Sequence, residues 1–166
     1  MPAEMITTER LSLRPPVMAD AQDVARAVND REIARWLTQV PHPYTLEDAK
    51  AFIARQTSGK TFLICLQGAV IGCIGTVGEF GYWLARDHWG QGYATEASRA
   101  VIDWHFAQED APLTSGHAIG NARSRAVLLK MGFEDVGVVD RTHQITGETR
   151  RQQVMTLSSE RWEGQA

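Results

Sequence analysis

The chain has 166 residues, of which 43% are hydrophobic and 22% charged, with a formal net charge of −3. That balance predicts a soluble globular domain over residues 1–166 with enough chain for a sizeable core. The missing basic excess argues against nucleic acid as a partner. Glu4, Glu9, Arg10 and Arg14 break up the N-terminal stretch, so no secretory leader is expected and the predicted location is cytoplasmic.

In chain order, Leu11–Arg14 reads as a first strand closed by Pro15-Pro16. Asp20 is placed to cap a helix running to about Asn29, with Val24, Ala27 and Val28 on one face. A short helix is expected around Glu32–Leu37, then a loop enforced by Pro41 and Pro43. Thr45-Leu-Glu-Asp48 has capping-box spacing, and Ala49, Phe52 and Ile53 form the apolar stripe of the helix it opens. No residue between Lys60 and Glu79 is charged. Gln67-Gly68 interrupts that run and β-branched residues recur through it, which predicts buried strands and not a membrane span. The strands are expected at Thr61–Leu66, Ala69–Thr76 and Glu79–Ala85. Cys65 and Cys73 fall within the first two and are expected to be reduced thiols. Ala94, Ala97, Val101 and Trp104 mark a long helix, and Leu113–Ile119 the next strand. Asn121 and Gly132 are placed to cap and close a further helix. Phe133–Asp140 and Gln152–Ser158 read as the last strands, joined by a polar connection at Arg141–Arg151. The order predicts a mixed α/β (α+β) architecture with about seven strands and flanking helices.

Two segments carry chemistry. In Trp89-Gly-Gln-Gly-Tyr-Ala-Thr-Glu-Ala97, a glycine turn stands between a predicted strand and a predicted helix. Such an element aims several backbone N–H groups and the positive end of the helix dipole at one spot, which suits a phosphate or diphosphate. A nucleotide P-loop is excluded because no Gly-Lys-Ser/Thr follows Gly92. The dinucleotide fingerprint fails because Thr95 stands where a third small residue is needed. In the second segment, Asn121-Ala-Arg-Ser124 through Gly132-Phe133, Ser124 shares a helical face with Val127, Leu128 and Met131. A serine there either bonds back to a carbonyl one turn earlier or faces a ligand.

The hexad Trp89-Gly90-Gln91-Gly92-Tyr93-Ala94 resembles the acetyl-CoA loop of the GNAT N-acetyltransferases, whose pattern runs Arg/Gln-x-x-Gly-x-Gly/Ala. Gly92 and Ala94 match. Trp89 departs at the first position, in a way similar to the RimJ/RimL-like ribosomal-protein N-terminal acetyltransferases. The resemblance extends to Thr8-Glu-Arg-Leu-Ser-Leu-Arg-Pro15, Pro43–Ala49, Gly81-Tyr-Trp-Leu84, the Asn121/Ser124 segment and Ser158–Trp162, which together span nearly the whole chain.

The resemblance implies a GNAT fold whose central mixed sheet contains a splayed parallel pair, here Glu79–Ala85 and Leu113–Ile119. It implies acetyl-CoA as co-substrate, held by Tyr82, Trp83 and Leu84 along the pantetheine arm. Trp89, Gly90, Gln91, Gly92, Tyr93, Ala94 and Thr95 would take the diphosphate, and Asn121 and Ser124 the arm and the thioester. Arg86, Arg123 and Arg125 are candidates for outer phosphates or plain surface charges. The implied reaction is acetyl transfer to a primary amine, foremost a protein N-terminal α-amine. A small-molecule amine and CoA binding without turnover remain open. Glu79 is the first candidate for the base, then Tyr82 and His117, with Ser124 assisting the leaving thiolate. Trp36, His42, Tyr44 and Glu79 are candidates on the acceptor side. The histidines have no zinc spacing, and no metal is expected. Relatives of this kind imply a monomer or homodimer.

Overall fold

The computed structural model describes residues 4–37 and 39–165. In order they form β1 (Ile6–Thr7), β2 (Leu11–Arg14), α1 (Ala21–Val28), α2 (Arg31–Ala34), α3 (Leu46–Ala54), β3 (Thr61–Leu66), β4 (Ala69–Gly75) and β5 (Gly81–Leu84). There follow α4 (Tyr93–Gln108), β6 (Leu113–Ala118), α5 (Ala122–Met131), β7 (Glu134–Thr142), β8 (Thr149–Leu157) and α6 (Ser159–Glu163).

The strands form two antiparallel sheets, β1-β2-β3-β4-β5 and β6-β8-β7. The mixed α/β architecture is as expected, and the strands divide between the two sheets at the pair expected to splay. The two are joined where β5 and β6 begin: Phe80 N–H donates to the Thr114 carbonyl at 2.7 Å, and Ser115 Oγ donates to the Phe80 carbonyl at 2.7 Å. Beyond that point the strands part. Tyr82–Leu84 and Gly116–Ala118 then border one cleft, so the pair runs the same way and opens like a wedge.

The uncharged run from Thr61 to Thr76 follows from burial on both faces of the larger sheet. On β3, Phe62 and Ile64 pack into a cluster with Val101 and Ile102 of α4 and with Leu128 and Met131 of α5. The alternate residues Leu63 and Cys65 pack instead against Ala21 and Val24 of α1 and Ala49 and Ile53 of α3. A period of two with helices on both sides leaves no solvent face for a charge. Phe62 meets Trp104 edge-on at 5.0 Å, and burying one such side chain contributes about 1.5–3 kcal/mol. Cys65 and Cys73 are free, and burial pushes the Cys73 thiol up to about 12. Among the described residues no helix is long and apolar enough to cross a membrane.

The caps follow the sequence reading in most places. Thr45 Oγ1 accepts from Asp48 N–H at 3.1 Å while Asp48 accepts from Thr45 N–H at 2.9 Å. The Asn121 side chain accepts from Ser124 N–H at 3.3 Å, and Gly132 closes α5 in the left-handed region at φ 95°. Asp20 differs. It precedes α1 but makes no side-chain cap. Its carboxylate is taken by Arg14 at 2.8 Å to each oxygen and by Val17 N–H at 2.8 Å. A guanidinium fork outcompetes a single backbone donor. The connection expected at Arg141–Arg151 is shorter than read: β7 and β8 extend into it from both ends and leave a turn at His143–Glu148.

Candidate active site between two diverging strands

The wedge encloses a cleft of about 480 Å³ lined from β5, β6, the glycine loop, α2 and α5. Backbone alternation explains its polar wall. Phe80 N–H points at β6, whereas Ala85 N–H donates to Ile71 of β4 at 2.8 Å. Residues of one parity share a side, so Tyr82 and Leu84 aim their main-chain groups toward β6. There β6 has already diverged, and those groups face the cleft. Trp83 borders the cleft too, but its main chain points toward β4 and its ring packs beside α1 and α3.

The glycine loop closes one end of the wedge. Gly90 and Gly92 are left-handed, at φ 72° and 83°, a conformation that side chains disfavour. Trp89, Gly90, Gly92, Tyr93, Ala94 and Thr95 line the cleft, and Gln91 does not. The Gln91 side chain turns away to donate to the Asp87 carbonyl at 3.1 Å, which leaves its main chain as the part that faces the loop. The start of α4 presents its free N–H groups here, beside a left-handed N-cap at Gly92. Trp89 has a structural explanation for replacing a polar residue. Its indole N–H donates to the Leu84 carbonyl at 2.9 Å and ties the loop to the end of β5. The Arg123 guanidinium lies 4.0 Å over the indole ring, which leaves a cation at the glycine-loop end of the cleft. Arg86 and Arg125 are committed elsewhere, to Asp30 and to Asp135.

Ser124 of α5 and Tyr82 of β5 both line the wedge. Among the described residues the Ser124 hydroxyl makes no bond to a carbonyl one turn earlier. Burial pushes the Tyr82 phenol up to about 12, against the opposing pulls of the Ser124 hydroxyl and the Arg123 charge. That phenol stays protonated at neutral pH and is a donor, which removes it as a base. His117 is also unsuitable. Its Nδ1 lies 3.0 Å from the Ala118 carbonyl and its Nε2 3.3 Å from Arg125 Nη1. The guanidinium only donates, so Nε2 accepts and its lone pair is occupied.

Glu79 lies at the far end of β5 from the glycine loop. It sits in a bend before the strand, which begins at Gly81, and not in the strand as expected. The short Val77-Gly78 link leaves too little chain to extend the ladder. Both carboxylate oxygens receive Arg141 of β7, at 2.6 and 3.1 Å, and both residues line the cleft. Glu32 and Trp36 border the same region. Asp30 fixes them there by capping α2 through Glu32 N–H at 2.9 Å and holding Arg86 with its carboxylate. Tyr44 lies outside the cleft, against the cluster of α1 and α3, where burial pushes its phenol up to about 12. His42 does not line the cleft either. Gly116–Ala118, Ile33, Leu37 and Gln152 also form walls, without any motif to announce them. Among the described residues no group of His, Cys, Asp and Glu is placed to hold a metal.

Comparison with known proteins agrees with this geometry. The Acetyltransferase (GNAT) domain family matches residues 10–134. YdaF of Bacillus subtilis, provisionally named a ribosomal N-acetyltransferase, is 25% identical over 175 residues, covering 95% of this chain and 96% of its own. The uncharacterized N-acetyltransferase p20 of Bacillus licheniformis is 29% identical over 119 aligned positions, covering 62% of this chain and 66% of p20. In fold, RimJ of Mycobacterium smegmatis, solved with CoA-disulfide, superposes with a TM-score of 0.79 at 24% identity, covering 95% of this chain and 88% of RimJ. Relatives named for ribosomal-protein acetylation thus stand where the resemblance to the RimJ/RimL-like branch implied. With the family match spanning most of its length, this chain belongs to the GNAT acetyltransferases.

Proposed function

We propose that the protein transfers an acetyl group from acetyl-CoA to the α-amine of a protein N-terminus. The observation that carries the reading is the wedge itself. The main-chain groups of Tyr82 and the Leu84 N–H line one wall, a left-handed glycine loop at a helix start closes one end, and Ser124 borders the cleft from α5. The arm of the carrier pairs with the strand edge, its diphosphate meets the amides of Gly90 and Gly92–Thr95, and Asn121 holds the turn beside Ser124.

The amine nitrogen attacks the thioester carbon. As the C–N bond forms, the carbonyl π electrons move onto oxygen, where a backbone N–H of β5 meets the charge. The C–S bond then breaks and the pair leaves on sulfur. A CoA thiolate has a thiol-like conjugate pKa of about 8.5, so a hydrogen bond from Ser124, backed by the protonated Tyr82, is enough help. The proton shed by nitrogen passes to Glu79 through a water on a lone pair that Arg141 leaves open. A base so engaged suits an amine that needs little help. An α-amine is about a tenth neutral at pH 7, whereas a lysine is about a thousandth or less. This favours an N-terminus over a lysine side chain. The acidic Glu32 and Glu79 and the Trp36 ring suit an incoming ammonium.

The test is a mass-spectrometric screen of N-terminal peptides and small amines with acetyl-CoA. Peptides are expected to gain one acetyl group on the α-nitrogen. Labelling of amino acids, polyamines or aminoglycosides with peptides untouched would replace this acceptor, and no labelling of any amine despite tight CoA binding would leave a binding module.

A further inference from the structure

Arg10 lies behind the glycine loop, on the side away from the cleft. Its backbone N–H donates to Glu96 Oε1 at 2.8 Å and its Nε to Glu96 Oε2 at 2.7 Å. Its Nη1 donates to the Gln91 carbonyl at 2.9 Å, and the guanidinium lies 4.4 Å over the Tyr93 ring. Thr8 Oγ1 completes the set by donating to Glu96 Oε1 at 2.6 Å. One side chain from the turn between β1 and β2 thus grips the loop, the first ring of α4 and its first-turn acid.

We infer that Arg10 is a positioning residue for the diphosphate of the acyl carrier, acting through the Gln91–Gly92 peptide without touching the ligand. Two physical arguments lead there, and both rest on the diphosphate assignment above. The first is geometric. In a trans peptide the C=O and the following N–H point in opposite directions. Holding the Gln91 carbonyl from behind therefore drives the Gly92 N–H forward, and Gly92 lines the cleft while Gln91 does not. The contact is close: a Cβ added at Gly92 would lie 3.3 Å from Arg10 Nη2. The second is electrostatic. Glu96 is the acid in the first turn of α4, and its charge opposes an anion at that helix end. Arg10 occupies both Glu96 oxygens and cancels the charge where the diphosphate is to sit. The pairing also holds the Glu96 carboxyl below its usual range, with Thr8 and Arg10 as the donors that outweigh desolvation.

The experiment compares Arg10→Met with wild type using two acetyl donors. Acetyl-CoA carries the diphosphate and S-acetylpantetheine lacks it. Calorimetric titration with CoA supplies a readout independent of turnover, and thermal melting confirms that both proteins are folded. The expected result is a CoA Kd and an acetyl-CoA KM raised about tenfold, the loss of one charge-assisted hydrogen bond's worth of order. The KM for S-acetylpantetheine is expected to stay at the wild-type value. Arg10→Lys keeps the charge but lacks the fork, and it is expected to show the same split to a smaller extent even if Arg10→Met does not fold. Equal effects on both donors, or no effect on CoA affinity, would overturn the inference while leaving the enzyme reading intact. A wild-type protein that binds no CoA would overturn both.

Discussion

Replacing Gly92 by alanine perturbs the loop through its backbone. Gly92 stands at φ 83°, and its nearest neighbour on the Cβ side is Arg10, so the added methyl points behind the loop and not into the cleft. An L-residue in the left-handed region costs about 1–2 kcal/mol. Gly90, Gln91 and Gly92 are exposed, so the loop can relax by rotating the Gln91–Gly92 peptide rather than by unfolding its surroundings. Rotation turns the Gly92 N–H away from the cleft. Binding the diphosphate must then restore the strained conformation, and the same 1–2 kcal/mol reappears as about a five- to thirtyfold rise in Kd. Calorimetric titration with CoA measures this directly. Gly147→Ala is the control. It is also left-handed, at φ 73°, but sits in the turn between β7 and β8, and it is expected to leave CoA affinity unchanged. A folded Gly92→Ala protein with a Kd within about twofold of wild type would refute the reasoning, because about 1 kcal/mol of strain would then have no effect on the ligand.

Three further outcomes are expected. Ser124→Ala should lower kcat about tenfold or more without changing CoA affinity, since its hydrogen bond to sulfur grows only as charge develops there; stopped or steady-state kinetics with unchanged kcat would remove that role. Tyr82→Phe should lower kcat but leave the pH profile between about pH 6 and 9 in place, because burial already holds the phenol protonated near 12; a displaced profile would show that Tyr82 titrates in the reaction. Asp20→Asn tests the fold. The Arg14 guanidinium holds the Asp20 carboxyl below its ordinary value of 3.8. A depressed folded pKa stabilises above the unfolded value and loses that contribution as pH falls through the folded one. The variant should therefore be about 2 kcal/mol less stable at pH 7. In melts between pH 7 and 3 its Tm gap to wild type should close below about pH 4, and a gap independent of pH would contradict the pairing.

Much of the fold could be read from the chain because local and global signals agree. The capping box at Thr45, the Asn121 and Gly132 boundaries of α5 and the uncharged, β-branched run through β3 and β4 each have one local solution, and the structure adopts it. The wedge was legible only through the resemblance, since nothing in Leu113–Ala118 says that it starts beside Phe80 and then leaves. Asp20 has the sequence signature of a cap, which a capping oxygen and an arginine partner share until Arg14 is placed nearby. Glu79 looked like a strand residue because its neighbours are apolar and aromatic. The short Val77-Gly78 link and the guanidinium of Arg141, distant in sequence, decide its position instead. Gln91 lies in the middle of the most informative motif and still faces away. In a turn with alternating left-handed residues, peptide orientation is set by φ and by Arg10 behind the loop, and motif spacing carries no record of either.

The central claim is that the opening between β5 and β6 receives an acyl carrier. A crystal structure of the protein grown with acetyl-CoA tests it most directly. The account predicts density along Tyr82–Leu84, with the diphosphate within hydrogen-bond distance of the amides of Gly90 and Gly92–Thr95 and the thioester sulfur beside Ser124. Density on another surface, or an empty wedge at saturating acetyl-CoA, would contradict it.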